Sequence, residues 1–169
     1  MLIDTRSRTP QEMYRLMSGI VVPRPIAWIS TLSGAGLVNL APFSCFTFVS
    51  NSPPMIGVNI GRKAGKEKDT ARNIRRAGDF VVNIGTLSMT DLIHSSAIEF
   101  PEDESEVDAL GLETVASIGI TAPRLKIAPI SMECRLERVI EFGDTGAEFF
   151  VGQVETIHVS DELYDNGKI

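Results

Sequence analysis

Read for its alternation of apolar and polar positions, the chain is a succession of short β runs separated by turn residues. Residues 21–29 are apolar and punctuated by Pro23 and Pro25, which predicts an edge strand entering a sheet. Ser33-Gly34-Ala35-Gly36 marks a turn into a second run, residues 37–50, and the pair reads as a hairpin. Gly34 and Gly36 lack the third glycine and following helix of a nucleotide loop, so they read as turn residues with positive φ. Asn51-Ser52-Pro53-Pro54 breaks the chain before a strand over 55–60. Residues 80–84 are apolar almost without interruption, the pattern of a strand buried on both faces. Residues 130–140 alternate, with Met132, Cys134 and Leu136 on one face and Glu133, Arg135 and Glu137 on the other. Gly143-Asp144-Thr145-Gly146 turns that run back into a strand over 149–159.

Helical signals are few and short. Residues 70–77 form a helix closed by Gly78, at the position where left-handed caps favour glycine. Residues 86–94 read as another, with Ser88 and Thr90 as capping candidates and His94 complementing the dipole at its end. The first 16 residues read as a polar arm. About six strands and two or three short helices, not regularly alternating, predict a mainly β barrel in one domain over residues 1–169.

Charge narrows the choice of ligand. The chain carries −6, yet residues 62–76 alone hold seven cations against two acids, which leaves +5 there and −11 elsewhere. An acidic chain with one basic island suits a small anion better than nucleic acid, whose binders neutralise many phosphates at once. Six acids within residues 99–108 read as a solvated loop. There is no apolar run long enough for a membrane span and no signal-peptide pattern near the N-terminus. Cys45 and Cys134 lie far apart in apolar surroundings and read as buried thiols, which points to a cytoplasmic protein.

Candidate chemistry is sparse. His94 and His158 have no cysteine or acid at metal-ligand spacing, and His158 reads as an exposed strand residue. Neither a nucleophile elbow nor a phosphate-binding Walker loop is present. What remains is the basic loop running into Lys68-Asp69-Thr70. There the unpaired N–H groups of a helix start, its dipole, Arg62 and Lys68, and the Thr70 hydroxyl converge on a place for a phosphate monoester. A solvated basic face with an ordinary Asp or Thr cap is the alternative. A second constellation is Asn39-Leu40-Ala41-Pro42-Phe43-Ser44. Pro42 makes this strand irregular or peripheral, and the small Ala41 and Ser44 beside Phe43 leave backbone open to a flat ring. A strand with a proline bulge is its alternative.

Together these segments resemble the flavin reductase-like, FMN-binding split-barrel family. The resemblance runs through Pro23-Arg24-Pro25-Ile26-Ala27-Trp28-Ile29-Ser30-Thr31, Asn39 to Ser44, Ser52-Pro53-Pro54, Lys68-Asp69-Thr70 with Asn73-Ile74, and Phe80-Val81-Val82-Asn83. It continues through Leu110-Gly111-Leu112 and Ala128-Pro129-Ile130 with Glu133-Cys134, and so covers nearly the whole chain. It implies a split β-barrel that holds FMN near the interface of a homodimer. It assigns Trp28, Ile29, Ser30 and Thr31, with Ala41, Pro42, Phe43 and Ser44, to the flavin and its ribityl chain, Trp28 and Phe43 being ring neighbours. It assigns Asn59, Arg62, Lys68 and Thr70 to the phosphate, and the matched stretches bring Asn39 and Asp69 with them. The implied activity is transfer of hydride or electrons from NADH or NADPH through FMN to an acceptor, with a flavin-binding electron carrier or sensor as the alternative. Relatives of this kind usually continue past Asn166-Gly167-Lys168-Ile169 into a further segment near the flavin.

Overall fold

The computed structural model describes residues 1–169. Helix α1 (Pro10–Ile20) opens with a capping box. The Glu12 N–H donates to the Thr9 hydroxyl at 3.3 Å, the Thr9 N–H donates to the Glu12 carboxylate at 2.9 Å, and Pro10 occupies the first turn. The N-terminus is therefore helical where a polar arm was expected, and T-P-x-E was its signal. None of the residues of α1 is buried.

Strands β1 (Ala27–Leu32) and β2 (Val38–Phe43) form the expected hairpin. β1 begins only after the prolines and is not an edge: it lies between β2 and β5 (Asp79–Ile84). Pro23 and Pro25 lack the N–H that a ladder on either side would need, so they end up in the irregular segment before it. The single run expected over 37–50 divides at Ser44-Cys45 into β2 and β3 (Phe46–Asn51). β4 (Pro54–Ile60) follows, and the long hairpin β8 (Ile130–Phe142) and β9 (Ala147–Val159) turns through Gly143 and Gly146, both at positive φ.

These seven strands form one antiparallel sheet in the order β2-β1-β5-β8-β9-β4-β3. Its two edge strands, β2 and β3, are consecutive in the chain and joined by two residues. Flat, such a sheet would be about 29 Å wide at the usual strand spacing. A two-residue link reaches only about 11 Å. The sheet must therefore curl until its edges meet at Ser44-Cys45. β2 and β3 form no ladder there, so the barrel is split at this seam.

The interior is filled by Ile29, Phe43, Ile56, Val58, Ile60, Phe80, Val82, Cys134 and Phe150. Helix α2 (Asp69–Ala77) adds Ala71 and Ile74 and ends on Gly78 at φ 75. At Gly152 an added Cβ would lie 2.6 Å from the Phe80 ring, so only glycine lets this ring lie flat on β9. A second layer is built by α3 (Thr90–Ser95), α4 (Glu106–Ala109) and the two-residue strands β6 (Thr114–Val115) and β7 (Arg124–Leu125). It covers the outer face of β1 and β2, where Trp28, Leu40, Met89, Val107 and Leu125 form a separate apolar cluster. Both faces of β1 are thus dry, which explains its unbroken burial.

Residues 117–122 are pinned to the sheet by two buried carboxylates. Asp79 accepts from the N–H groups of Thr121 and Ala122 at 2.8 and 3.1 Å. Glu133 accepts from Ile118 and Gly119 N–H, both at 2.9 Å, and lies 2.6 Å from His158 Nε2. Glu133 is fully buried and His158 partly so, where strand alternation expected both to be exposed. The 117–122 segment covers that face, and the hydrogen bonds from Ile118, Gly119 and the His158 ring compensate the buried charge.

Candidate functional site

The site is assembled where the seam of the barrel meets the start of α2. Pro42 sits on the sheet's edge strand, where its missing N–H leaves no outward ladder bond unmade. Lys68 is the N-cap of α2, with extended backbone and no side-chain cap. The first backbone bond of the helix is Arg72 N–H to Lys68 C=O at 3.1 Å, so the N–H groups of Asp69, Thr70 and Ala71 have no helical partner. Asn39 of β2 donates its amide to the Thr70 hydroxyl at 3.0 Å and so locks the strand to the helix start. As an acceptor in that bond, Thr70 keeps its own O–H proton free to donate.

Three of the seven cations of the basic island are ion-paired and a fourth is held on a carbonyl, which composition alone does not disclose. Lys63 pairs with Glu99 at 2.8 Å, and Arg72 pairs with Asp69 and, at 3.6 Å, with Glu102. Arg75 pairs with Glu67 at 3.0 Å and with the buried Glu148, and Arg76 donates to the Leu32 carbonyl at 2.6 Å. Arg62, Lys66 and Lys68 make no ion pair. Burial, helped by the charge of Lys63, holds the ammonium of Lys68 below its ordinary pKa. That ammonium lies 5.2 Å from the centre of the Phe43 ring.

Two clefts share Pro42, Phe43 and Lys68 as a common wall. The first, about 530 Å³, runs past Asn39, Ala41, Asp69 and Thr70 and is lined further by residues 96–100, Glu102 and Glu106. The second, about 460 Å³, runs past Ser44, Cys45, Asn59 and Arg62 to Tyr14 of α1 and has no carboxylate in its lining. Both volumes lie in the range of small-molecule sites. The side-chain oxygen of Asn59 is buried with no hydrogen-bond partner. An orphaned acceptor beside unpaired cations leaves room for a ligand that donates as well as carries negative charge.

Ten of the expected site residues therefore meet: Asn39, Ala41, Pro42, Phe43, Ser44, Asn59, Arg62, Lys68, Asp69 and Thr70. Trp28, Ile29, Ser30 and Thr31 do not. All four are fully buried in the central strand. The Trp28 indole packs in the outer cluster and donates to the Ser96 hydroxyl at 2.8 Å, so it cannot lie against a ligand ring. Ser30 donates to the Pro123 carbonyl at 2.6 Å, and Thr31 accepts from Asn73 at 3.2 Å. These polar groups are satisfied inside the fold.

Other residues of the clefts were not foreseen. Cys45 is exposed on the seam, not buried, because β2 and β3 separate there. Cys134 is buried as expected, and desolvation pushes its thiol pKa far up. The acidic run is not simply solvated. Ser105 caps α4 and donates to the Val38 carbonyl at 2.7 Å, and the buried Glu106 accepts from Leu40 N–H at 2.9 Å. These two side chains satisfy the outward edge of β2 as a further strand would. A Ser before a short apolar-flanked turn was the only sequence signal of this arrangement.

A model of the flavin reductase like domain matches residues 17–169. The crystal structure of nitrilotriacetate monooxygenase component B from Bacillus cereus superposes with a TM-score of 0.96 at 37% identity, over 100% of this chain and 86% of that one. The 2-nitrobenzoate 2-nitroreductase of Pseudomonas fluorescens superposes with a TM-score of 0.88 at 31% identity, over 98% and 79%. A split barrel domain protein from Shewanella frigidimarina gives 0.87 at 21% identity over 100% and 85%, a likeness of fold alone.

Proposed function

The chain belongs to the flavin reductase-like family, and from that premise we propose that it is an FMN-dependent oxidoreductase, acting as a homodimer, that passes reducing equivalents from NADH or NADPH to an acceptor. The observation that carries this reading is the shared wall of the two clefts. Phe43 offers an apolar surface there, Lys68 an unpaired cation, and the start of α2 a set of unpaired N–H donors. The two solved relatives above 30% identity carry the names of a monooxygenase component and a nitroreductase, which supports redox chemistry.

The residues present fit a flavin mononucleotide. Lys68, the Thr70 hydroxyl and the N–H groups of Asp69 to Ala71 hold the phosphate, with Arg62 adding charge from the second cleft. Phe43, Pro42 and Ala41 form the surface for the ring, with Ser44 beside it. The orphaned Asn59 oxygen accepts a hydrogen bond from a ring or ribityl donor. When bound, a flavin supplies hydride and single-electron transfer, so the protein needs no acid–base pair of its own. The chain's own work is to orient the ring on Phe43, to keep water from one side of it, and to place positive charge near the phosphate.

Titration of the flavin-depleted protein with FMN, followed by absorbance and flavin fluorescence, tests the reading. Saturable binding, with steady-state oxidation of NADH or NADPH once FMN is present, is the expected outcome. A protein that takes up no FMN sinks the proposal.

A further inference from the structure

The lining of the first cleft carries a charge that the reading above leaves unused. Most of the charged groups that line this cleft sit in ion pairs, two of them sharing one arginine. Lys63 is matched by Glu99, Glu67 by Arg75, and Asp69 and Glu102 by Arg72. Only Lys66, Lys68 and Glu106 are left without a partner. Glu106 is 8% exposed, and its one polar contact with another residue's main chain is the N–H of Leu40. It is the one carboxylate lining this cleft that makes no ion pair.

Resting on the FMN reading, we propose that Glu106 is a specificity-determining residue that opposes the phosphate monoester in this cleft and takes up a proton as that anion enters. A phosphate monoester brings a charge of about −1.5 to −2. In this cleft Lys66 and Lys68 are the cations without an ion pair that attract it, with Arg62 acting from the second cleft, and an ionised Glu106 offsets part of their charge. An ionised Glu106 therefore weakens the anion, and a protonated Glu106 does not. Protonation exchanges the charge for an O–H and leaves the other carboxyl oxygen to accept from Leu40. The cleft can thus hold the anion more tightly without loss of the β2 edge contact.

The surroundings favour that exchange. Burial, and then the nearby charge of Asp69, hold the Glu106 carboxyl above its ordinary pKa despite the Leu40 hydrogen bond. The charged groups that line the cleft with it are Asp69 from α2, Lys63, Lys66, Glu67 and Lys68 from the basic loop, and Glu99 and Glu102, while Asp108 lies on its own helix. Burial also holds the Lys68 ammonium below its ordinary pKa, so it too can gain a proton on anion binding. Glu106→Gln leaves that contribution in place and so separates the two.

The test is FMN affinity of the intact protein between pH 5.5 and 8.5, with proton uptake measured calorimetrically in buffers of differing ionisation enthalpy. Glu106→Gln keeps an acceptor for Leu40 and removes the charge. It is expected to bind FMN about tenfold more tightly at pH 8, the scale of one unit charge in a partly solvated cleft. It should also show a shallower gain on acidification and less proton uptake than the parent, any remainder coming from the phosphate itself. Glu106→Ala should melt at lower temperature, because Leu40 N–H is then unsatisfied. Equal affinity, pH slope and proton uptake in the parent and Glu106→Gln overturn the proposal and leave Glu106 a strand-edge cap only. A parent that binds no FMN at any pH removes the FMN reading as well, and the two failures are thereby distinct.

Discussion

The Lys68 ammonium lies 5.2 Å from the centre of the Phe43 ring, and this pair forms the wall between the two clefts. A half-buried ammonium without a carboxylate is costly, and the ring's negative face offsets only part of that cost. The same pair thus offers a flat apolar surface and a cation still lacking its counterion. Residues that do only structural work rarely leave a buried lysine in that condition.

Lys68→Ala is expected to weaken FMN binding by about 10–100-fold, the value of one charged hydrogen bond at about 1.5–3 kcal/mol. Equilibrium titration checks it. Lys68→Arg should recover part of the loss, since the charge is kept while the geometry changes. An unchanged dissociation constant in Lys68→Ala would remove the phosphate from this wall.

Asn39 and Thr70 should act as a unit, because one donates to the other across the strand–helix junction. Each alanine variant is expected to lower FMN affinity. The double variant should lose less than the two single losses combined, by about 0.5–1 kcal/mol. Strict additivity in the cycle would show that the hydrogen bond does not couple them.

Trp28→Phe separates core packing from ligand contact. The variant loses the indole bond to Ser96 and part of the ring volume, and stability should fall by about 1–3 kcal/mol in denaturant unfolding. FMN affinity should stay within about twofold, a free-energy change well below that of one hydrogen bond. A large loss of affinity with little loss of stability would restore the indole to the flavin.

Acid should loosen the segment 117–122 before it unfolds the barrel. Burial pushes the Glu133 carboxyl up, but the Gly119 N–H, His158 and the Ile118 N–H outweigh it and leave it below the usual carboxylate range. A carboxyl depressed in the folded state adds stability that is present above its unfolded value, near 4.3, and is lost as pH falls through the folded one. Protection of Ile118 and Gly119 against hydrogen exchange, relative to the unstructured chain at the same pH, should therefore fall below about pH 4. In Glu133→Gln that acid-dependent step should disappear, with lower protection at neutral pH.

Legibility followed the range of the interactions involved. The helix over 70–77 and its Gly78 cap depend on neighbours a few residues apart, and both stand as the sequence implied. The 33–36 and 143–146 turns do so for the same reason, although of Gly34 and Gly36 only Gly36 takes the positive φ expected of both. Strand alternation, by contrast, reports which face a side chain takes and not what covers that face. Glu133 and His158 were expected to be exposed on these grounds, yet the 117–122 segment covers their side of β8 and β9. Trp28 was similarly ambiguous: an aromatic in a β run near the matched motifs fits a ligand ring or a core equally, and only the outer layer built by residues 86–128 decided for the core.

The sequence by itself determined the succession of short strands, the one helix that begins in a basic loop, and, through motif order, the family. Those rest on local periodicity and on spacing, which the chain carries without folding. The tertiary structure alone decided which charges are free. Seven cations in fifteen residues reduce to Arg62, Lys66 and Lys68 without ion pairs or carbonyl contacts, because carboxylates from 99–102 and from β9 fold back onto Lys63, Arg72 and Arg75, and the Leu32 carbonyl takes Arg76. Closure of the sheet at Ser44-Cys45 then sets Phe43 beside Lys68, residues 25 positions apart that no local pattern brings together.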